Sequence, residues 1–83
     1  SDNQIPAELS FHLYPNPVQD VLKIKSASEI RTLSLYDIYG RLLQTADVNS
    51  DIYELDMKRF TRGLYFIKVI TSDRIQVRKV VKN

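Results

Sequence analysis

Apolar side chains recur at every second position through most of this chain, the period of a strand buried on one face and wet on the other. Phe11 and Leu13 alternate with Ser10 and His12, Leu22 and Ile24 alternate with Val21, Lys23 and Lys25, and Leu33 and Leu35 continue the pattern. A hairpin connection is predicted at Asp37 to Gly40, where glycine is free to take a left-handed backbone. Leu42 and Leu43 open the return strand, and Asp47-Val48-Asn49-Ser50-Asp51 reads as the next turn. Tyr53, Leu55 and Met57 line one face of the strand after it, with Glu54 and Asp56 turned to water. Lys58 to Arg62 is too short for a regular helix. From Gly63 a strand rich in aromatic and β-branched residues places Tyr65, Ile67 and Val69 on its inner face. Thr71-Ser72-Asp73 then turns the chain into a last strand carrying Ile75, Val77, Val80 and Val81. Seven short strands at these spacings predict an all-β fold, a seven-stranded antiparallel immunoglobulin-like β-sandwich.

Composition narrows the function more than the fold. The 83 residues, 9.7 kDa, make one domain. A chain of that size hides roughly 64% of its unfolded surface, enough for a core but not for a deep cleft. Residues 1–8 are polar with one proline and are expected to be a linker from a missing upstream cargo domain, leaving residues 9–83 as the folded unit. Twelve Lys and Arg against ten Asp and Glu give a net charge of +2, too little to indicate a nucleic-acid partner. The signs are mixed until the end, where Arg74, Arg78, Lys79 and Lys82 face only Asp73. With no cysteine, a disulfide framework and a thiolate metal site are both excluded. No apolar run approaches the length of a helical membrane span.

Catalytic chemistry finds no purchase. His12 is the only histidine and alternates with apolar residues on an outward position, so neither a nucleophile's base nor a metal ligand is indicated. Asp37, Asp47, Asp51, Glu54, Asp56 and Asp73 fall at turns and polar strand faces, where solvated charge is the ordinary role. Asp47-x-Asn49-x-Asp51 imitates the start of a calcium loop, but Ile52 stands where the loop needs glycine and Lys58 where it needs a bidentate glutamate. No cofactor is expected.

Three short motifs remain. Tyr14-Pro15-Asn16-Pro17 opens a strand run, and its prolines mark a stiff corner or sheet edge. Tyr36-Asp37-x-x-Gly40-Arg41 makes a turn, and Gly63-x-Tyr65-x-x-Lys68-Val69 makes a strand. Tyr65 is expected in the core with its hydroxyl bonded at the rim. Taken with the lysine-rich end, these motifs resemble the C-terminal sorting domain of the type IX (Por) secretion system over roughly Leu9 to Asn83. Lys58-Arg59 departs from that pattern, replacing small polar residues with a basic pair.

The resemblance implies a non-catalytic secretion signal at the end of a cargo protein that crosses the periplasm and finishes at the cell surface or outside a Gram-negative cell. It implies an outer-membrane translocon or shuttle protein as receptor. A sortase-like cysteine protease would in many members cut in the linker before Leu9 and join the cargo to an anionic lipopolysaccharide. It places recognition on Gly63, Tyr65, Lys68 and Val69 and on the last strand, Arg78, Lys79, Val80, Val81 and Lys82, with Tyr14 to Pro17, Asp37 and Gly40 as structural motif residues. A free last strand would suit reading by strand addition, and also self-association between copies. The alternative is a β-sandwich accessory, adhesion or carbohydrate-binding domain of a secreted protein.

Overall fold

The computed structural model describes residues 11–72 and 74–83; the expected linker, Leu9, Ser10 and Asp73 lie outside the described residues. Five strands follow in order, β1 (Phe11–Tyr14), β2 (Val21–Tyr36), β3 (Leu42–Asp56), β4 (Gly63–Thr71) and β5 (Ile75–Lys82), with no helix among the described residues. The expected count of seven is therefore corrected to five. Each predicted run is a strand, but the turn expected at Asp47 to Asp51 is a bend inside β3, of 15 residues, and the division between Lys25 and Leu33 that a count of seven implies is a bend inside β2, of 16 residues.

The physical reason lies in the bulges. Between Lys25 and Thr32 the pairing of β2 with β3 shifts register around Ile30↔Ser50, so extra residues are taken up without reversing the chain. Asn49 adopts a positive φ of 51°, as its turn-forming character predicts, yet it kinks a strand and does not end one. A serine hydroxyl sits at each bend and takes a backbone amide: Ser28 N–H donates to Ser26 Oγ at 3.1 Å, and Ile52 N–H to Ser50 Oγ at 3.3 Å. Serine thus satisfies donors that an irregular ladder leaves without a strand partner.

All strand pairs are antiparallel, and β2 is the spine. One edge is taken along its length by β3, from Val21↔Asp56 to Tyr36↔Leu42. The other is shared by β1, over Lys23 to Ser26, and β4, over Ile30 to Tyr36. β5 then pairs with β4 from Ile70↔Ile75 to Gly63↔Lys82. The sheet curls until Val18, beyond β1, forms a parallel bridge to Lys82.

The core fills the curl. Leu22, Ile24, Ile30, Leu33, Leu35, Leu55, Met57, Ile67, Val69 and Val80 are buried, joined by Phe11 and Val18. Tyr65, Ile67 and Val69 share the inner face of β4 as the alternation required, while His12, Glu54 and Asp56 are exposed. Asp47, Asn49 and Asp51 are strung along β3, so they do not surround a common point.

Candidate recognition surface

The three motifs, far apart in sequence, meet at one end of the curled sheet. Prolines 15 and 17, both preceded by cis peptide bonds, have no amide to give. Asn16 and Val18 supply the bonds instead, and they supply them to β5. The Val81 N–H donates to Asn16 Oδ1 at 3.1 Å, and Asn16 Nδ2 reaches Lys79 O at 3.5 Å. Val18 N–H donates to Val81 O and Asn83 N–H to Val18 O, both at 2.8 Å. Beside this clasp, Met57 N–H donates to Asp20 O at 2.7 Å.

The clasp changes the expected state of the last strand. Its end is held by β4 on one side and by Asn16 and Val18 on the other, so backbone strand addition has no free edge over Lys79 to Asn83. The preceding stretch, Ile75–Arg78, lies ahead of the clasp and pairs with β4 from Ile70↔Ile75 to Ile67↔Arg78. Side chains divide by parity. Val80 points into the core, and Arg78 and Lys82 share its face: the Arg78 guanidinium lies over the Phe11 ring at 4.3 Å, and Lys82 is 9% exposed with Nζ donating to the Asn83 backbone oxygen at 3.1 Å. Such long side chains bury their stems and bring only the charged head to the rim.

The outward face is formed by β4 and β5 together. Across the ladder Phe66 stands beside Lys79, Lys68 beside Val77, and Leu64 beside Val81. Lys68 Nζ sits 5.4 Å from the centre of the Tyr36 ring on the neighbouring strand. Of the residues expected to carry recognition, Lys68, Lys79 and Val81 are gathered here; Tyr65, Val69, Val80, Arg78 and Lys82 face inward. Tyr65 is a core residue, its hydroxyl donating to Thr61 O at 2.6 Å and its ring 5.9 Å from that of Phe60. Gly63 has a φ of +152° and Gly40 of +81°, and a Cβ would meet nothing within 4 Å at either, so their requirement is one of backbone alone.

Two tight turns complete this end. Asp37 Oδ1 accepts the amides of Tyr39 and Arg41, each at 2.9 Å, and Oδ2 accepts Arg41 Nε–H at 2.7 Å. Gly40 N–H donates to Asp37 O, and Asp37 N–H to Arg41 O. Partial removal from water raises the carboxyl's proton affinity, but the Arg41 amide and guanidinium and the Tyr39 amide outweigh it, holding Asp37 below its ordinary 3.8. A depressed folded value means that the contribution is complete above 3.8 and is lost as pH falls through that lower value. An Asp37→Asn variant is accordingly expected to melt below wild type near neutrality, and thermal midpoints measured down the acid range should converge below pH 3.8.

The second turn is closed by Phe60 N–H to Met57 O, and Lys58 N–H is taken by Asp56 Oδ1. Between the two turns lies an open groove of about 410 Å³, reached by Ile38, Tyr39, Arg41, Arg59, Phe60 and Arg62 among others. The sequence reading missed this groove and the clasp. Both depend on which turns become neighbours, and only the basic pair Lys58-Arg59 hinted at the first.

A curled β-sheet whose scattered motifs converge beside a tied final strand defines a small recognition module. Residues 12–83 match the sequence profile described as the secretion system C-terminal sorting domain, and the chain belongs to that family, the sorting signal of type IX secretion. Domains of this family generally serve as signals and not as catalysts. A solved structure with the same fold is that of PorZ, an essential bacterial surface component of the type-IX secretion system of human oral-microbiomic Porphyromonas gingivalis. The TM-score is 0.74 at 19% identity over 88% of this chain, which spans only 11% of the PorZ chain. No curated protein matches the chain in sequence.

Proposed function

We propose that components of the type IX outer-membrane machinery read this domain through the outward face of β4 and β5, with Lys68 and Lys79 as its charged points and Phe66, Val77 and Val81 as its apolar ground. A cargo fused upstream passes through the periplasm, crosses the outer membrane and is delivered to the surface or released. A translocon or shuttle protein is the receptor, and a sortase-like cysteine protease cuts before Leu9 and attaches the cargo to an anionic lipopolysaccharide. The gathering of two lysines on a half-apolar face carries the recognition part of this reading. Such a face attracts an acidic receptor patch and speeds encounter, while apolar contact supplies persistence. Any pairing between copies of the domain through the last strand falls ahead of the clasped stretch Lys79 to Asn83.

The fold is read as an immunoglobulin-like sandwich with shared strands. β1, the first half of β2 and the second half of β3 make one layer; the first half of β3, the second half of β2, β4 and β5 make the other. The two bulged bends support this reading, because each lets one strand serve both layers.

The experiment joins residues 9–83 to a fluorescent cargo exported to the periplasm of a bacterium with an intact type IX system. Lys68→Glu with Lys79→Glu is expected to lower surface delivery by about tenfold or more. Loss of the Lys68 stacking on Tyr36 lowers stability by only about 0.5–1 kcal/mol, so the domain remains folded. Lys82→Glu is the wrong partner for such a reversal, because its stem is in the core. Normal delivery of the folded double variant would remove this face from the receptor contact.

A further inference from the structure

The groove between the two turns has features that the outward face of β4 and β5 does not use. We propose that it is a binding site for an acidic peptide segment carrying one large apolar side chain.

One wall is a hydrogen-bonded turn, and its apolar side chains are displayed to solvent. Ile38 is 55% and Tyr39 78% exposed at the tip of a turn whose backbone Asp37 fixes by accepting the Tyr39 and Arg41 amides and Arg41 Nε–H, so the cost of ordering that backbone is met before any partner arrives. Phe60 packs on Tyr65 behind them. The volume, about 410 Å³, suits an apolar side chain with a short stretch of backbone.

The charge around this apolar floor is of one sign. Arg41, Arg59 and Arg62 reach the groove, and among the described residues Asp37 is the only carboxylate there, already engaged by Arg41. The Arg41 and Arg59 guanidinium groups stand over the Tyr39 and Phe60 rings at 5.8 and 5.0 Å, and Arg59 also bonds Gln44. Arg62 has no ion-pair or hydrogen-bond partner among the described residues. Guanidinium forks beside aromatic faces match carboxylates in both geometry and charge.

The same inventory disfavours a sugar. Hydroxyl-rich ligands need acceptors as well as donors, and the strongest acceptor of the groove is committed: Asp37 accepts from Arg41 and Tyr39, while the Thr61 backbone oxygen already accepts from Tyr65. A second copy of the domain would bring the same arginines. The site is separate from Lys68 and Lys79, so it stands or falls independently of their role in sorting.

The test titrates the isotope-labelled chain with an amidated tripeptide of glutamate, phenylalanine and aspartate, following arginine Nε–H and backbone resonances by NMR. Saturable shifts at Tyr39, Arg59 and Arg62 are expected, weakening with salt. Arg59→Ala with Arg62→Ala should weaken binding by about tenfold or more, as loss of charge-assisted bonds implies, while the remaining spectrum stays folded. Equal binding of the glutamine and asparagine analogue, tighter binding of glucuronate, or shifts that do not saturate would each overturn the proposal.

Discussion

A chain ending at Thr71 is expected not to fold as a domain. Removing β5 takes away the partner on one side of every β4 residue from Gly63 to Ile70, leaves Gly63 to Tyr65 with no strand partner among the described ladders, and uncovers the inner face on which Tyr65, Ile67 and Val69 lie. Val80, fully buried, is worth about 1.5–3 kcal/mol by itself. The clasp goes too: Asn16 Oδ1, Val18 N–H and Val18 O lose their partners on Val81 and Asn83. At about 0.5–1.5 kcal/mol for each hydrogen bond, these losses together match or exceed the roughly 4–12 kcal/mol that holds a domain of this length. Circular dichroism and proton NMR of the truncated chain should show a collapsed amide dispersion and no cooperative melt. A cooperative melt near that of the full chain would mean that β5 is an appendage of the fold. The expected result bears on export, because truncation then removes scaffold and signal together. Loss of delivery on truncation cannot be credited to the last strand's side chains, whereas charge reversal at Lys68 and Lys79 can test them.

The period of two made the strands and their inner faces legible because burial on one face is a local requirement, imposed on each residue by its own position in the pleat. Leu22, Ile24, Leu33, Leu35, Leu55, Tyr65, Ile67 and Val69 all fall inside as the alternation demands. The two misread breaks have a different origin. Serine, asparagine and aspartate satisfy stray amides equally well in a turn or in a bulge, and only the partner strand's register decides which one forms. Ser26, Asn49 and Ser50 carry that ambiguity. Parity did carry a signal for Lys82: two residues from buried Val80, it shares an inward face, and positive charge was the misleading cue. Asn16 was legible as part of a stiff corner, but its bond to Val81 crosses 65 residues. The receptor face is intermediate in this respect. Alternation separates Lys68 from Tyr65 and Val69, while its neighbourhood with Lys79 depends on β4 pairing with β5 in one particular register.

Leu35→Ala and Ile67→Ala are expected to be the most damaging single truncations of the interior, each costing about 2–5 kcal/mol. The two side chains belong to register partners on β2 and β4, and both are fully buried at the junction on which β5 in turn depends. For a domain this small each kcal/mol lowers the melting midpoint by roughly 4–8 °C, so either variant should melt at least about 10 °C early. The double variant shares one cavity, so its loss will differ from the sum of the single losses, and it should leave the chain largely unfolded. Thermal melts monitored by circular dichroism check this directly, and a shift of only a few degrees would show that the sheet curls closed around a gap there. The same variants supply the control that the sorting reading needs. They leave Lys68 and Lys79 in the sequence but weaken the ladder that displays them, so delivery should track the folded fraction. Lys68→Glu with Lys79→Glu should depart from that line, losing delivery while folded, since a signal carried by a surface depends on the scaffold without being identical to it.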